Sequence, residues 1–473
     1  MAQMDVLATA MTLTIGNMAA RLRDGDTTST ALIDQAFNRI NDSHGQGQLA
    51  FVGTFESDAR RRAADIDALR KSGLPLRRLA GIPVSVKDLF DIAGDVTCAG
   101  SRVLSTAAPA RCDATIVARL RAAGAIIVGR TNMTEFAYSG LGLNPHYGTP
   151  ANPYERSIGR IPGGSSSGAA VSVTDGMCVA AIGTDTGGSV RIPAALTGIV
   201  GFKPSRHRVA LEGTYPLSPS LDTIGPIANS VACCAALDSI LADEQETALR
   251  ALLPRELRIG VIRDFVFDDV SDYVADCFDG ALSALATAGA HVRDVQDSKF
   301  LCDLPQINAK GGFAAAEAFH NLHALIELAP DAFDPRVSQR VLFGGKQSAD
   351  DYLALQDHRR CMIAAIDEVT WPFDAVVCPT VPCIAPKFSD LDADPDYFAM
   401  NALMLRNPSV ANFLDRPAIT IPCHDRDAAP VGFMMMGERG ADRGLLNVAQ
   451  AVESVISPRR PALTAAFENE HDN

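Results

Sequence analysis

From about Leu79 onward, short apolar runs alternate with amphipathic stretches; before that point the period is helical throughout. In residues 1 to about 75, Thr28 or Ser29 caps a helix through Ile40, and a charged helix is predicted from Ser57 to Lys71, stopped by Gly73. Beyond them, Ile82 to Val86 reads as a strand, Ala114 to Ala123 as a helix ended by Gly124, and Ala125 to Val128 as a strand. Leu257 to Ile262 is another strand. It precedes a helix whose Val274, Phe278, Ala281 and Leu285 recur at helical spacing, then Gly289 and a strand from Ala290. Later strands are predicted at Ala375 to Cys378, Ala418 to Ile421 and Val431 to Met436, and a last helix from Asp442 to Ser457 that buries Leu445, Val448, Val452 and Ile456. Strands alternating with helices predict an α/β/α domain, with a large, mostly parallel central sheet covered by helices on both faces.

One stretch breaks this pattern. Pro162 to Pro204 holds two glycine-serine turns, Gly163-Gly164-Ser165-Ser166-Ser167-Gly168 and Gly187-Gly188-Ser189, joined by small apolar residues. Glycine admits positive φ and removes the side chain that would block a ligand, so such a turn can aim several backbone N–H groups at one point. That is what a developing oxyanion in acyl transfer requires, and Ser189 is then a candidate nucleophile carrying its own donors. Two tight connections would have the same composition.

A serine needs a base within reach. None of the nine histidines sits in a motif that marks it as one, and no Gly-x-Ser-x-Gly elbow surrounds Ser189. The alternative base is upstream, where the apolar run Gly81-Ile82-Pro83-Val84-Ser85-Val86 ends on Lys87, a strand-end position of the kind at which α/β active sites gather. Taken alone, Lys87 reads more readily as a solvated surface residue than as a base.

Together these segments resemble the amidase signature family. The motifs are Val84-Ser85-Val86-Lys87-Asp88, Gly163 to Gly168, Gly183-Thr184-Asp185-Thr186-Gly187-Gly188-Ser189-Val190-Arg191 and Gly201-Phe202-Lys203-Pro204-Ser205, in that order. Similarity extends to Ala118 to Asn132, Leu221 to Pro226 and Pro430 to Phe433, so it covers nearly the whole chain. The resemblance implies a mixed sheet and a Ser, cis-Ser, Lys triad. Ser189 would be the nucleophile, Ser165 the bridging serine after a cis peptide bond from Gly164, and Lys87 the base. The backbone N–H groups of Thr186, Gly187, Gly188 and Ser189 would form the oxyanion hole. Lys87 must then shed its charge near neutral pH, roughly 3 units below the ordinary lysine value of about 10.4, which burial supplies. It is therefore expected to be buried, with hydroxyls beside it and Asp88 pointing elsewhere. The resemblance also sets Met133, Phe136, Tyr138 and Leu141 beside the acyl pocket. Of these, Met133, Tyr138 and Leu141 are candidate substrate-binding residues, and Ala385 to Asn412 is an irregular rim loop or a solvated insertion. Asp185 and Arg191 read as a pair bracing the nucleophile loop, with substrate binding as the alternative role of Arg191.

Composition narrows the function. With 47% hydrophobic and 21% charged residues in 473, the chain reads as one globular domain: a helical layer over 1–75, the catalytic core over 76–230, and the rest of the sheet with substrate-rim segments over 231–473. No apolar run of about 20 residues and no basic leader is present, so a cytoplasmic protein without membrane contact is expected. Eleven cysteines form no Cys-x-x-Cys pair, so neither zinc nor a redox motif is expected, and no metal or cofactor is assigned. A net charge of −14 disfavours nucleic acid. The glycine turns lack the lysine of a phosphate loop, since Ala169 follows Gly168, which weakens a nucleotide-binding reading. The expected activity is hydrolysis of a small carboxamide to an acid and ammonia or an amine. The alternative is the glutaminase-type subunit of a tRNA-dependent amidotransferase. The sequence leaves the acyl group open among aliphatic, aryl, urea-type and dicarboxylic amides, and leaves open whether two copies assemble as a homodimer.

Overall fold

Eleven strands join one continuous sheet in the computed structural model, which describes residues 13–245 and 247–456. The first half of the chain supplies β1 (Phe51–Thr54), β2 (Pro83–Lys87), β3 (Ile126–Thr131), β4 (Ala180–Asp185), β5 (Val200–Lys203) and β6 (Thr223–Ala228). The second half supplies β7 (Arg258–Val261), β8 (His291–Asp294), β9 (Ala375–Pro379), β10 (Ala418–Pro422) and β11 (Gly432–Met436). Their order across the sheet is β1-β3-β2-β4-β6-β5-β10-β11-β9-β7-β8.

The sheet is mixed. Parallel pairing is confined to two blocks, β3-β2-β4 and β9-β7-β8, and the six other neighbour pairs are antiparallel. Each parallel block contains a helical crossover, Thr115–Ala122 between β2 and β3 and Asp272–Thr287 between β7 and β8. Strand-helix alternation therefore predicts the pairing correctly only where a helix intervenes, and the centre is less parallel than that alternation suggests. β4, β5 and β6 are absent from the periodicity reading for a physical reason. All their residues are buried, so they carry small and apolar side chains without the polar alternation of a half-exposed strand.

Two other expectations are corrected. The amino-terminal layer contains an edge strand, β1, as well as helices Ile15–Asp24, Ser29–Ile40 and Glu56–Lys71. The Thr28 hydroxyl caps the second by accepting the N–H of Ala31 at 3.0 Å. The expected rim loop is largely a helix, Asp394–Phe413, whose opening Asp394-Pro395-Asp396 is a helix start: proline in the first turn with carboxylates beside it. The helices Asp272–Thr287 and Asp442–Ile456 bury the apolar positions their periodicity marks; Ser457 lies outside the described residues, as do residues 1–12. Among the described residues no helix is long and apolar enough to cross a membrane.

Candidate active site

β2 delivers Lys87 to the interior at its last residue, and the side chain is fully buried. Its Nζ donates to Ser165 Oγ at 2.7 Å and to Thr184 Oγ1 at 2.9 Å. No carboxylate among the described residues pairs with it. Burial pulls the ammonium down from 10.5 to about 7, outweighing the opposing pull of Asp185 and Asp222. Asp88 turns away, accepting the Gly100 N–H at 3.0 Å and lying 3.7 Å from Arg130.

The peptide bond between Gly164 and Ser165 is cis. Gly164 can have no side chain, because a Cβ there would lie 2.5 Å from the Gly142 backbone. The helix Ser167–Thr174 follows with every residue buried, and it approaches its neighbours so closely that a Cβ on Gly168 would meet the Ala50 carbonyl at 2.2 Å. This close fit accounts for the small residues of the stretch. The Ser166 N–H donates to the Ser189 carbonyl at 3.3 Å, so the two glycine-serine turns are in contact.

Asp185 organises the turn that carries Ser189. Its carboxylate accepts the N–H groups of Gly188 at 2.8 Å and Val190 at 3.2 Å, and two guanidinium bonds from Arg191 at 3.0 and 2.9 Å. Asn412 donates to the same carboxylate at 2.9 Å and accepts from Arg191 at 2.7 Å. Burial raises the Asp185 carboxyl, but Arg191, with help from Lys203 and Asn412, overrides this and holds it at about 2. Asp222 braces the other flank, accepting the Thr186 hydroxyl at 2.5 Å and the N–H groups of Leu217 and Ser218 at 3.0 Å each.

The geometry agrees with one expectation and narrows another. Arg191 is fully buried with its fork on Asp185, Asn412 and the Met434 sulfur, so it is a brace and not a substrate contact. The Gly188 N–H is already given to Asp185, which leaves Thr186, Gly187 and Ser189 as candidate oxyanion donors. Breaking the brace is expected to be costly. Asp185→Asn leaves the Arg191 charge buried without a counter-ion and should lower unfolding free energy by about 3–5 kcal/mol. The double variant Asp185→Asn, Arg191→Met should recover part of that loss in urea denaturation. If the single variant is as stable as the double, the brace has been misread.

Ser189 opens on a cavity of about 610 Å³, the right size for a small molecule. Thr186, Gly187 and Tyr138 line it, with an apolar wall that includes Leu217, Phe265 and Phe313. Of the four residues that the resemblance sets beside the pocket, Tyr138 lines this cavity. Met133 and Leu141 are fully buried and do not line the cavity. Leu141 packs in the cluster with Ile161, Ile192 and Leu196, and Phe136 stacks on Phe333 with the tilted Tyr215 ring on its other contact. The segment reaches the cavity only through Ala137 to Ser139, because its other side chains turn back into the core.

Helix Asp394–Phe413 forms much of the remaining wall, through Ala402, Leu403, Leu405, Arg406 and Ser409. Three of its asparagines tie it to the scaffold. Asn401 Oδ1 accepts the Gly140 N–H at 2.9 Å, Asn407 Nδ2 donates to the carbonyls of Val266 and Pro379, and Asn412 joins the Asp185 brace. The sequence alone assigns no role to these asparagines or to Thr184. Thr184 lies inside the recognised motif, three residues before Gly187, and the helix start at Asp394-Pro395 was the one local signal for the rest.

A family model described as Amidase matches residues 31–446. The chain is 36% identical to 2-amino-5-chloromuconic acid deaminase of Comamonas testosteroni, over 96% of this chain and 98% of that one. It is 30% identical to a glutamyl-tRNA(Gln) amidotransferase subunit of Koribacter versatilis, over 94% and 98% respectively. Among solved structures, a crystal structure of an amidase superposes with a TM-score of 0.84 at 31% identity, covering 94% of this chain and 100% of that one.

Proposed function

The chain belongs to the amidase family and is an enzyme that hydrolyses carbon–nitrogen bonds; from this we propose that it cleaves a small-molecule carboxamide through a seryl acyl-enzyme formed on Ser189. The observation that carries this reading is a buried lysine whose nitrogen is hydrogen-bonded to two hydroxyls and to no carboxylate. Neutral Lys87 accepts the proton of Ser165 as Ser165 takes that of Ser189, and Ser189 Oγ bonds to the amide carbon. The N–H groups of Thr186, Gly187 and Ser189 hold the oxyanion. The proton returns along the same route to the leaving nitrogen, the C–N bond breaks, and ammonia or an amine departs. Water then adds to the acyl-enzyme by the same relay, releasing the acid and restoring Ser189. The relative named as a deaminase supports ammonia as the departing group.

This relay sets the pH dependence. Protonated Lys87 cannot accept a proton, so activity requires the neutral form, which dominates above a pKa of about 7. A profile of kcat/KM against pH should fall on the acid side with a midpoint near 7 and a slope of one. An acid limb at pH 4 to 5 in its place would point to a carboxylate base and remove Lys87 from the role.

The second reading, a glutaminase-type component of a larger assembly, is favoured by the likeness to the amidotransferase of Koribacter versatilis. Gel filtration of the isolated chain together with an ammonia assay on a panel of primary amides separates the two. Release from simple amides by the lone chain supports the hydrolase. Release from glutamine only after partner subunits are added supports the other.

A further inference from the structure

Arg340, on the helix Pro335–Gly344, lines the same cavity as Ser189. Its guanidinium carbon lies over the Tyr138 ring, 4.0 Å from the centroid, and one Nη donates to the Tyr138 carbonyl. The ring contact and the carbonyl bond together restrain the guanidinium, and its remaining N–H groups are left for a ligand. No carboxylate among the described residues pairs with it, although this chain carries 56 acidic residues against 42 basic ones. Three other half-buried arginines have such partners, whereas Arg359 is spent on the carbonyls of Phe413, Ser220 and Asn412. Arg160 pairs with Glu155, Arg208 with Asp238, and Arg336 with Asp394.

The other ionisable groups on the cavity wall are Arg406 and Asp269. Arg406 is anchored to Asn407 at 3.0 Å and to the Val266 carbonyl at 3.3 Å, and Asp269 sits 4.0 Å from it with a side chain 85% exposed. The wall is therefore cationic in a protein of net charge −14. A planar, restrained and unpaired guanidinium suits bidentate capture of a carboxylate.

We propose that Arg340 binds a carboxylate carried by the substrate and so makes this enzyme selective for amides that also bear an acid group. The proposal rests on the amidohydrolase reading. Arg340 is a specificity residue that acts on binding, so its contribution belongs in KM.

The test compares succinamic, glutaramic and adipamic acids with butyramide, pentanamide and hexanamide, which match them in chain length without the charge. At the best length, the wild type should favour the acid by about 10-fold or more in kcat/KM, and Arg340→Met should cut that preference by roughly 10- to 100-fold, mostly through KM. Arg340→Lys, which keeps the charge and loses the fork, should fall between, and it serves as the test if the methionine variant does not fold. A wild type that turns over neutral amides as well as their acids at every length overturns the proposal and leaves the amidase reading intact. So does an unchanged preference in Arg340→Met. If no amide is hydrolysed, the amidase reading fails, and calorimetry decides on Arg340 separately. Glutarate and adipate should bind the Ser189→Ala protein and bind at least about 10-fold more weakly when Arg340→Met is added. Equal affinity in the two proteins overturns the assignment.

Discussion

Ser189→Ala is expected to reduce kcat on the best amide by at least about 10⁴-fold while the protein still folds and binds substrate. Ser189 is nearly buried, and alanine removes one oxygen without disturbing the backbone. The Asp185 brace contacts the main chain of the turn and Arg191, and involves nothing of the Ser189 side chain. The loss is therefore chemical and not structural. Adding Lys87→Ala to Ser189→Ala should cost little more, since groups in one proton relay act as a unit and their separate losses do not add. Single-turnover assays on both variants give the comparison. If the double variant falls a further 10³-fold below the single, Lys87 and Ser189 act in separate steps and the relay through Ser165 is wrong.

Lys87→Met should abolish turnover to a similar degree and also alter stability in a pH-dependent way. The lysine titrates at about 7 when folded against 10.5 as its ordinary value. Below pH 7 both folded and unfolded chains hold the proton, and the folded protein bears the whole cost of burying it. Between 7 and 10.5 the unfolded chain binds more protons, so wild-type stability rises with pH through this group; above 10.5 the cost is gone. Methionine removes the group, so its advantage over wild type is largest at low pH. It should shrink by about 2–3 kcal/mol between pH 6 and pH 9. The hydroxyls of Ser165 and Thr184 lose a donor in the variant, which lowers its stability by a similar amount at both pH values. Titration of other buried groups, such as Asp88 and Lys203, is shared by the two proteins and largely cancels in the difference. Urea denaturation of both proteins at the two pH values measures it, and a difference that stays flat would mean that Lys87 is not held neutral.

Much of this site was legible in the sequence because it depends on local chemistry. Glycines at 164, 168 and 188 mark close backbone approach or unusual φ, and the apolar run ending on Lys87 marks a strand that carries a cation inside. What depends on distant chain was not legible. Asn412 meets Asp185 across 227 positions, and Arg340 meets Tyr138 across 202, so no local pattern pairs them. Arg191 was ambiguous for the same reason: a buried arginine and a ligand-binding one look alike until the partner is seen. β4, β5 and β6 were hidden because strands covered on both faces lose the alternation that identifies a strand. Helix Asp394–Phe413 was hidden for a related reason. It has apolar and polar contacts on several sides, so no single stripe stands out along it.

That helix divides its residues between two tasks. Asn401, Asn407 and Asn412 key it to three separate parts of the frame, Asn412 also bordering the cavity, while Ala402, Leu403, Leu405 and Ser409 between them face the cavity. It resembles a shaped insert held by fixed pins, whose working face can be recut without loosening the mount. Retooling the enzyme toward bulkier or differently charged amides therefore has a natural starting point, and the asparagines are the positions to leave alone.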